Sequence, residues 1–158
     1  MSEAEWVAAG CGGVTATALH GTPQAIFREL GTLGEVMALT RNDWCVHERH
    51  GEYLDIQADG PVGLVLGPDI DLRVFFTAWK SAWAVQQDGR HSLQFFDAAG
   101  VAVHKVYRTD ATDAAAYDAL VAKFAGDPQW PETTAYAPAT DAEQVEDAAG
   151  WREAWLGM

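Results

Sequence analysis

Between residues 34 and 109 the chain is a succession of short apolar runs, each broken by turn residues before it is long enough to form a helix. The runs are GEVMALTR (34–41), WCVHERH (44–50), EYLDIQA (52–58), VGLVLG (62–67), DLRVFF (71–76), AWAVQQ (82–87), HSLQFFD (91–97) and VAVHKVYRT (101–109). Asn42-Asp43, Gly51, Asp59-Gly60-Pro61, Gly67-Pro68-Asp69, Asp88-Gly89 and Ala99-Gly100 separate them. Such a pattern reads as strands and turns. Gaps this short close hairpins and leave no room for a helical crossover, so the strands pair antiparallel, largely as a meander. The expected class is α+β: a large, mostly meandering antiparallel sheet with helices packed at its ends.

VTATAL (14–19) adds a short strand. Thr22-Pro23 then offers an N-cap and a proline at the first helical position, opening a helix through QAIFREL. Thr112-Asp113 caps AAAYDALVAKFA, and Gly126-Asp127-Pro128 stops it. Residues 127–142, with Pro128, Pro131 and Pro138, read as loop. A last helix over AEQVEDAAGWREAWLGM sets Trp151, Trp155 and Leu156 on one stripe. That stripe calls for cover, either the domain's own sheet or a partner.

Composition narrows the function classes. A chain of 158 residues that is 49% hydrophobic suits one domain with a real core. The net charge of −13 disfavours nucleic acid or an anionic membrane as a general partner, so an anionic ligand needs a local cluster of arginine or lysine. Cys11 and Cys45 make neither a disulfide framework nor a zinc pattern. No leader peptide and no run of about 18 apolar residues is present, which points to a cytoplasmic protein without membrane insertion.

The segment that asks for an explanation is DLRVFF. Alternation puts Asp71, Arg73 and Phe75 on one strand face and Leu72, Val74 and Phe76 on the other. The second set suits a core. The first sets a cation beside an aromatic ring, with a carboxylate near enough to restrain the guanidinium. Taken on spacing alone, a solvated Asp–Arg pair accounts for it. Arg90 and His91 follow the Asp88-Gly89 turn at a strand start, and Lys105 and Tyr107 share a face; both groups are within reach of an anionic ligand or of solvent. His47 and His50 point to opposite sides of a strand, and Cys45 with His47 is too few ligands for a metal site. Each of the five histidines reads as a turn or sheet residue, and the metal ligand stays unknown. Trp79 and Trp83, four apart, read as packing.

Three blocks in order, LGEVMALTRNDWCVHERHGEY (33–53), VGLVLGPDIDLRVFF (62–76) and RHSLQFFDAAGVAVHKVY (90–107), resemble the hemin-degrading factor family of the HemS/ChuX type. The likeness covers roughly residues 30–136. Members of full length have two similar halves with haem between them, and this chain resembles the first half. The resemblance implies a domain over residues 1–136 and a linker helix over 137–158 leading toward a second half. It implies haem (iron protoporphyrin IX) as ligand, with Arg73 and Phe75 of the R-x-F pattern facing it. Arg73 is then the catalytic candidate, and Arg73, Phe75, Arg90, Lys105 and Tyr107 are the haem-binding candidates. The family's iron-ligating histidine matches no residue here. Two functions follow from one pocket: hemin degradation with iron release, fed by an external electron donor, or carriage of haem to another protein. The missing half and the terminal tryptophans imply pairing, as a homodimer or with a second homologous half.

Overall fold

A computed structural model of the chain describes residues 1–137 and 148–157. Its strands are β1 (Thr15–Leu19), β2 (Gly34–Arg41), β3 (Val46–Gly51), β4 (Ile56–Gln57), β5 (Val62–Leu66), β6 (Asp71–Phe75), β7 (Ser81–Gln87), β8 (Arg90–Phe96) and β9 (Ala102–Thr112). The helices are α1 (Glu3–Ala8), α2 (Pro23–Glu29), α3 (Ala114–Phe124) and α4 (Ala148–Leu156). The expected caps form: Thr22 accepts from the Ala25 amide at 3.2 Å, Asp113 from the Ala116 amide at 2.9 Å. Helix α1 was not anticipated. Ser2 Oγ accepts from the Glu5 amide at 3.2 Å, and Glu5 accepts from the Ser2 amide at 2.6 Å, a reciprocal capping box.

The strands form two antiparallel sheets, one of six strands ordered β1-β7-β8-β9-β2-β3 and one of three ordered β4-β5-β6. Meanders β7-β8-β9 and β4-β5-β6 and the hairpin β2-β3 follow from the short gaps. Asp88 (φ 50°) and Gly89 (φ 76°) turn β7 into β8 with both central residues left-handed, as a two-residue hairpin loop of the primed type requires. The pairings β9 with β2 and β1 with β7 join distant segments, so the large sheet is only partly a meander. Two runs are shorter than expected. The Asn42 side chain accepts from the Trp44 and Cys45 amides at 2.9 and 2.8 Å, which extends the turn and delays β3 to Val46. Within 52–58 only Ile56–Gln57 pairs, because Asp55 adopts φ 46° and breaks the extended run.

The small sheet and α2 stack on one face of the large sheet. Val65, Val74, Phe76, Phe27, Tyr53, Trp79, Leu93, Phe95 and Val106 are buried there in one cluster. Helix α1 covers part of the opposite face, burying Ala4 and Val7 against Ala18, Trp83, Val85 and Phe96. Trp79 and Trp83 thus both pack in cores, on opposite sides of the sheet. Of the terminal helix, residues 142–147 and the Trp151 side chain lie outside the described residues; Trp155 and Leu156 are each 75% exposed.

Candidate functional site

Strand pairing fixes which side chains surround Arg73. On β5 and β6, Val62 pairs with Phe75, Leu64 with Arg73 and Leu66 with Asp71. Directly paired residues share a face, so these six side chains form the outer face of the small sheet. Gly63, Val65, Leu72 and Val74 form its inner face, with Val65 and Val74 in the core and Leu72 packed against it. The alternation expected of DLRVFF therefore places Arg73 and Phe75 away from the core, while Phe76 buries itself in the 3₁₀ turn that follows β6.

That outer face is unusual for a solvated surface. Phe75 is 56% exposed, Leu66 47% and Val62 38%, around one exposed guanidinium. Arg73 and Asp71 make no hydrogen bond or ion pair among the described residues, so the anticipated restraint of Arg73 by Asp71 does not form. Among the described residues, all five donors of Arg73 are uncommitted. No histidine lies among the paired residues of this face.

The other candidates lie elsewhere. On β8 and β9, Leu93, Phe95, His104 and Val106 point into the core beneath the small sheet. Arg90, Ser92, Gln94, Lys105 and Tyr107 alternate onto the far face, where Ser92 pairs with Tyr107 and Gln94 with Lys105. The core thus separates Arg73 and Phe75 from Arg90, Lys105 and Tyr107, and one ligand on one chain does not touch both groups. Lys105 is already engaged: its Nζ donates to Glu3 Oε1 of α1 at 2.6 Å. Arg41 pairs with the same carboxylate, and the Ala102 amide donates to it at 3.3 Å. Burial pushes the Glu3 carboxyl up, but Lys105, Arg41 and that amide together hold it below its ordinary value. Arg90 and Tyr107 line one cavity of about 410 Å³. Glu3 was missed in the sequence; Ser2-x-x-Glu5 announces its helix, but nothing local announces a partner 102 residues away.

The histidines are scattered. His47 and His50 are exposed on β3, His91 sits against Tyr117, and the His20 ring bonds the Asp127 carbonyl at 2.9 Å. His104 is buried, with Nε2 2.6 Å from Tyr53 Oη and Nδ1 3.0 Å from Thr40 Oγ1. The Tyr53 hydroxyl has no other partner among the described residues, so the network assigns it as donor to Nε2 and places the His104 proton on Nδ1. Among the described residues no three His, Cys, Asp or Glu side chains converge.

A family model described as a haemin-degrading HemS.ChuX domain matches residues 1–124. The hemin transport protein HemS of Yersinia enterocolitica is 44% identical over 111 residues, 67% of this chain and 32% of that protein. The heme-degrading enzyme ChuS of Escherichia coli O157:H7 superposes with a TM-score of 0.80 at 35% identity, covering 89% of this chain and 44% of ChuS. PhuS, a heme-binding protein of Pseudomonas aeruginosa, gives 0.79 at 40% identity, covering all of this chain and 48% of PhuS. The chain therefore spans about a third of the curated relative and under half of each solved structure. No described helix is long and apolar enough to cross a membrane.

Proposed function

Because the chain belongs to the haemin-degrading HemS/ChuX domain family, we propose that it binds haem for haem-iron utilisation on the outer face of the small sheet. The observation that carries this reading is Arg73, a guanidinium without a partner among the described residues, set among the exposed side chains of Val62, Leu66 and Phe75. Haem is a flat apolar macrocycle with two anionic propionates. Phe75, Val62 and Leu66 offer its ring an apolar wall, and Arg73 offers charge-assisted donors to an oxygen at the ring or at its edge. The iron ligand comes from outside this face. In hemin degradation, Arg73 is the catalytic candidate, and an external electron donor and a second wall are required. The openness of the face, with Phe75 more than half exposed, favours a second reading, a carrier that hands haem on. A second copy of the chain, or a homologous half, supplies the other wall in either case. The test is a hemin titration followed at the Soret band, with sedimentation of the same samples. Arg73→Ala should weaken binding roughly ten- to a hundredfold, and hemin should bring the parent to a dimer. Parent-like binding by Arg73→Ala would remove haem from this face, and a monomer with and without hemin would remove the second copy.

A further inference from the structure

The small sheet carries Arg73, yet among the described residues none of its strands pairs with the large sheet. Its inner face rests on the core through Val65, Val74 and Leu72. Apolar contact of that kind has no direction, so it holds the layer down without fixing its tilt or slide. Direction comes from hydrogen bonds at the two ends of β5. At the turn before β5, Arg28 of α2 donates from Nη2 to the Ala58 carbonyl at 2.7 Å and to Asp59 Oδ1 at 2.9 Å. Gln24 Nε2 donates to the Gly60 carbonyl of the same turn at 3.0 Å. At the turn after β5, Arg49 of β3 donates from Nε to the Asp69 carbonyl at 3.2 Å and from Nη2 to Asp69 Oδ1 at 2.5 Å. Gly51 of β3 makes room for this contact, since a Cβ there would lie 2.7 Å from Asp69 Cβ.

Both ion pairs are too exposed to contribute much stability. The Arg28 and Asp59 side chains are 48% and 94% exposed, those of Arg49 and Asp69 54% and 50%. What they supply is position. Each arginine holds a main-chain carbonyl as well as a carboxylate, so it restrains the backbone of the turn itself. Asp59 lies three residues before Val62, the cross-strand partner of Phe75, and Asp69 lies two before Asp71, at the start of the strand that carries Arg73. β5 is therefore pinned at one end to α2 and at the other to the edge of the large sheet. We propose that Arg28 and Arg49 are positioning residues for haem, setting the tilt of the small sheet and so the aim of Arg73 and Phe75. The inference rests on the reading that haem lies on this outer face. Binding groups displaced by about 1 Å lose much of their effect, which gives such clamps their value.

The experiment is a pair of double-mutant cycles read as hemin affinity at the Soret band, with urea melts of every variant. Arg49→Ala and Arg28→Ala should each weaken hemin binding roughly three- to thirtyfold, while the urea midpoint moves little. In the Arg73→Ala background each change should lose most of its effect on affinity, because the cation it aims is gone. A general loosening of the fold would instead lower affinity by the same factor in both backgrounds. Parent-like hemin affinity in both clamp variants overturns the proposal, and so does an equal loss with and without Arg73. Parent-like binding by Arg73→Ala itself would remove the haem reading and the clamps with it. Impaired Arg73→Ala beside parent-like Arg49→Ala and Arg28→Ala would remove the clamps alone.

Discussion

Arg73 and Phe76 stand three residues apart with opposite duties. The Arg73 side chain is exposed and makes no hydrogen bond or ion pair among the described residues, so Arg73→Ala should change unfolding free energy by about 0.5 kcal/mol or less. Phe76 is buried edge-on to Phe27 and Trp79, with ring centroids 5.3 and 5.5 Å away. Phe76→Ala should therefore cost about 3–5 kcal/mol through lost contacts and the cavity left behind. Urea melts of the two variants test both values, and equal destabilisation would make Arg73 a structural residue. This division was legible in DLRVFF because strand alternation is a local rule that depends on no distant segment. Alternation says nothing of ion pairing, and the expected Asp71–Arg73 contact failed on that account. Cross-strand neighbours of Asp71 and Arg73 are Leu66 and Leu64 rather than each other.

At the scale of elements, the small sheet depends on a residue that has no side chain. A Cβ built on Gly63 would lie 2.5 Å from Phe76 Cζ and 2.8 Å from Val74 Cγ2, so the inner face of β5 is hollowed to receive that ring. Gly63→Ala should cost about 1–3 kcal/mol by overpacking. It should also disturb hemin binding, since β5 carries Val62 and Leu66 on its other face. A thermal melt and a hemin titration of the variant check both effects; a stable variant with parent affinity would show that Phe76 can move aside. Elements bounded by strong local signals were legible: β2 falls on 34–41, and α2 and α3 follow their Thr22 and Asp113 caps. Strand β4 was overestimated because the left-handed Asp55 leaves no mark in a run of apolar alternation. Helix α1 carried its capping signature in Ser2 and Glu5, but six residues are too few for a periodic apolar stripe.

Whole-molecule relations were the least legible, because strand order rests on long-range pairing that no local pattern encodes. The pairing of β9 with β2 brings Thr40 beside His104, and the loop after β3 lays Tyr53 over the same ring. His104 thus ties the large sheet to the segment leading into the small one. Burial lowers the His104 pKa from 6.5 to about 4. The unfolded chain binds a proton there from about pH 6.5 downward, whereas the folded chain resists it until about pH 4. Stability from the neutral ring is therefore fully present above pH 6.5 and declines as the pH falls through this window. A shift of that size corresponds to about 3 kcal/mol lost by pH 4. Glu3 adds a separate loss further down, because its pKa is held below the ordinary 4.5 and its contribution fades only as the carboxyl protonates. Urea melts between pH 7 and pH 4.5 should show the parent losing stability steadily, with a loss of about 2–3 kcal/mol at the acid end from His104 alone. His104→Gln removes the titrating group, so it should be less stable at pH 7 yet much flatter across the same range. If its slope matches the parent's, His104 is not the group that the acid acts on, and the link between the sheets is not the acid-sensitive point of the fold.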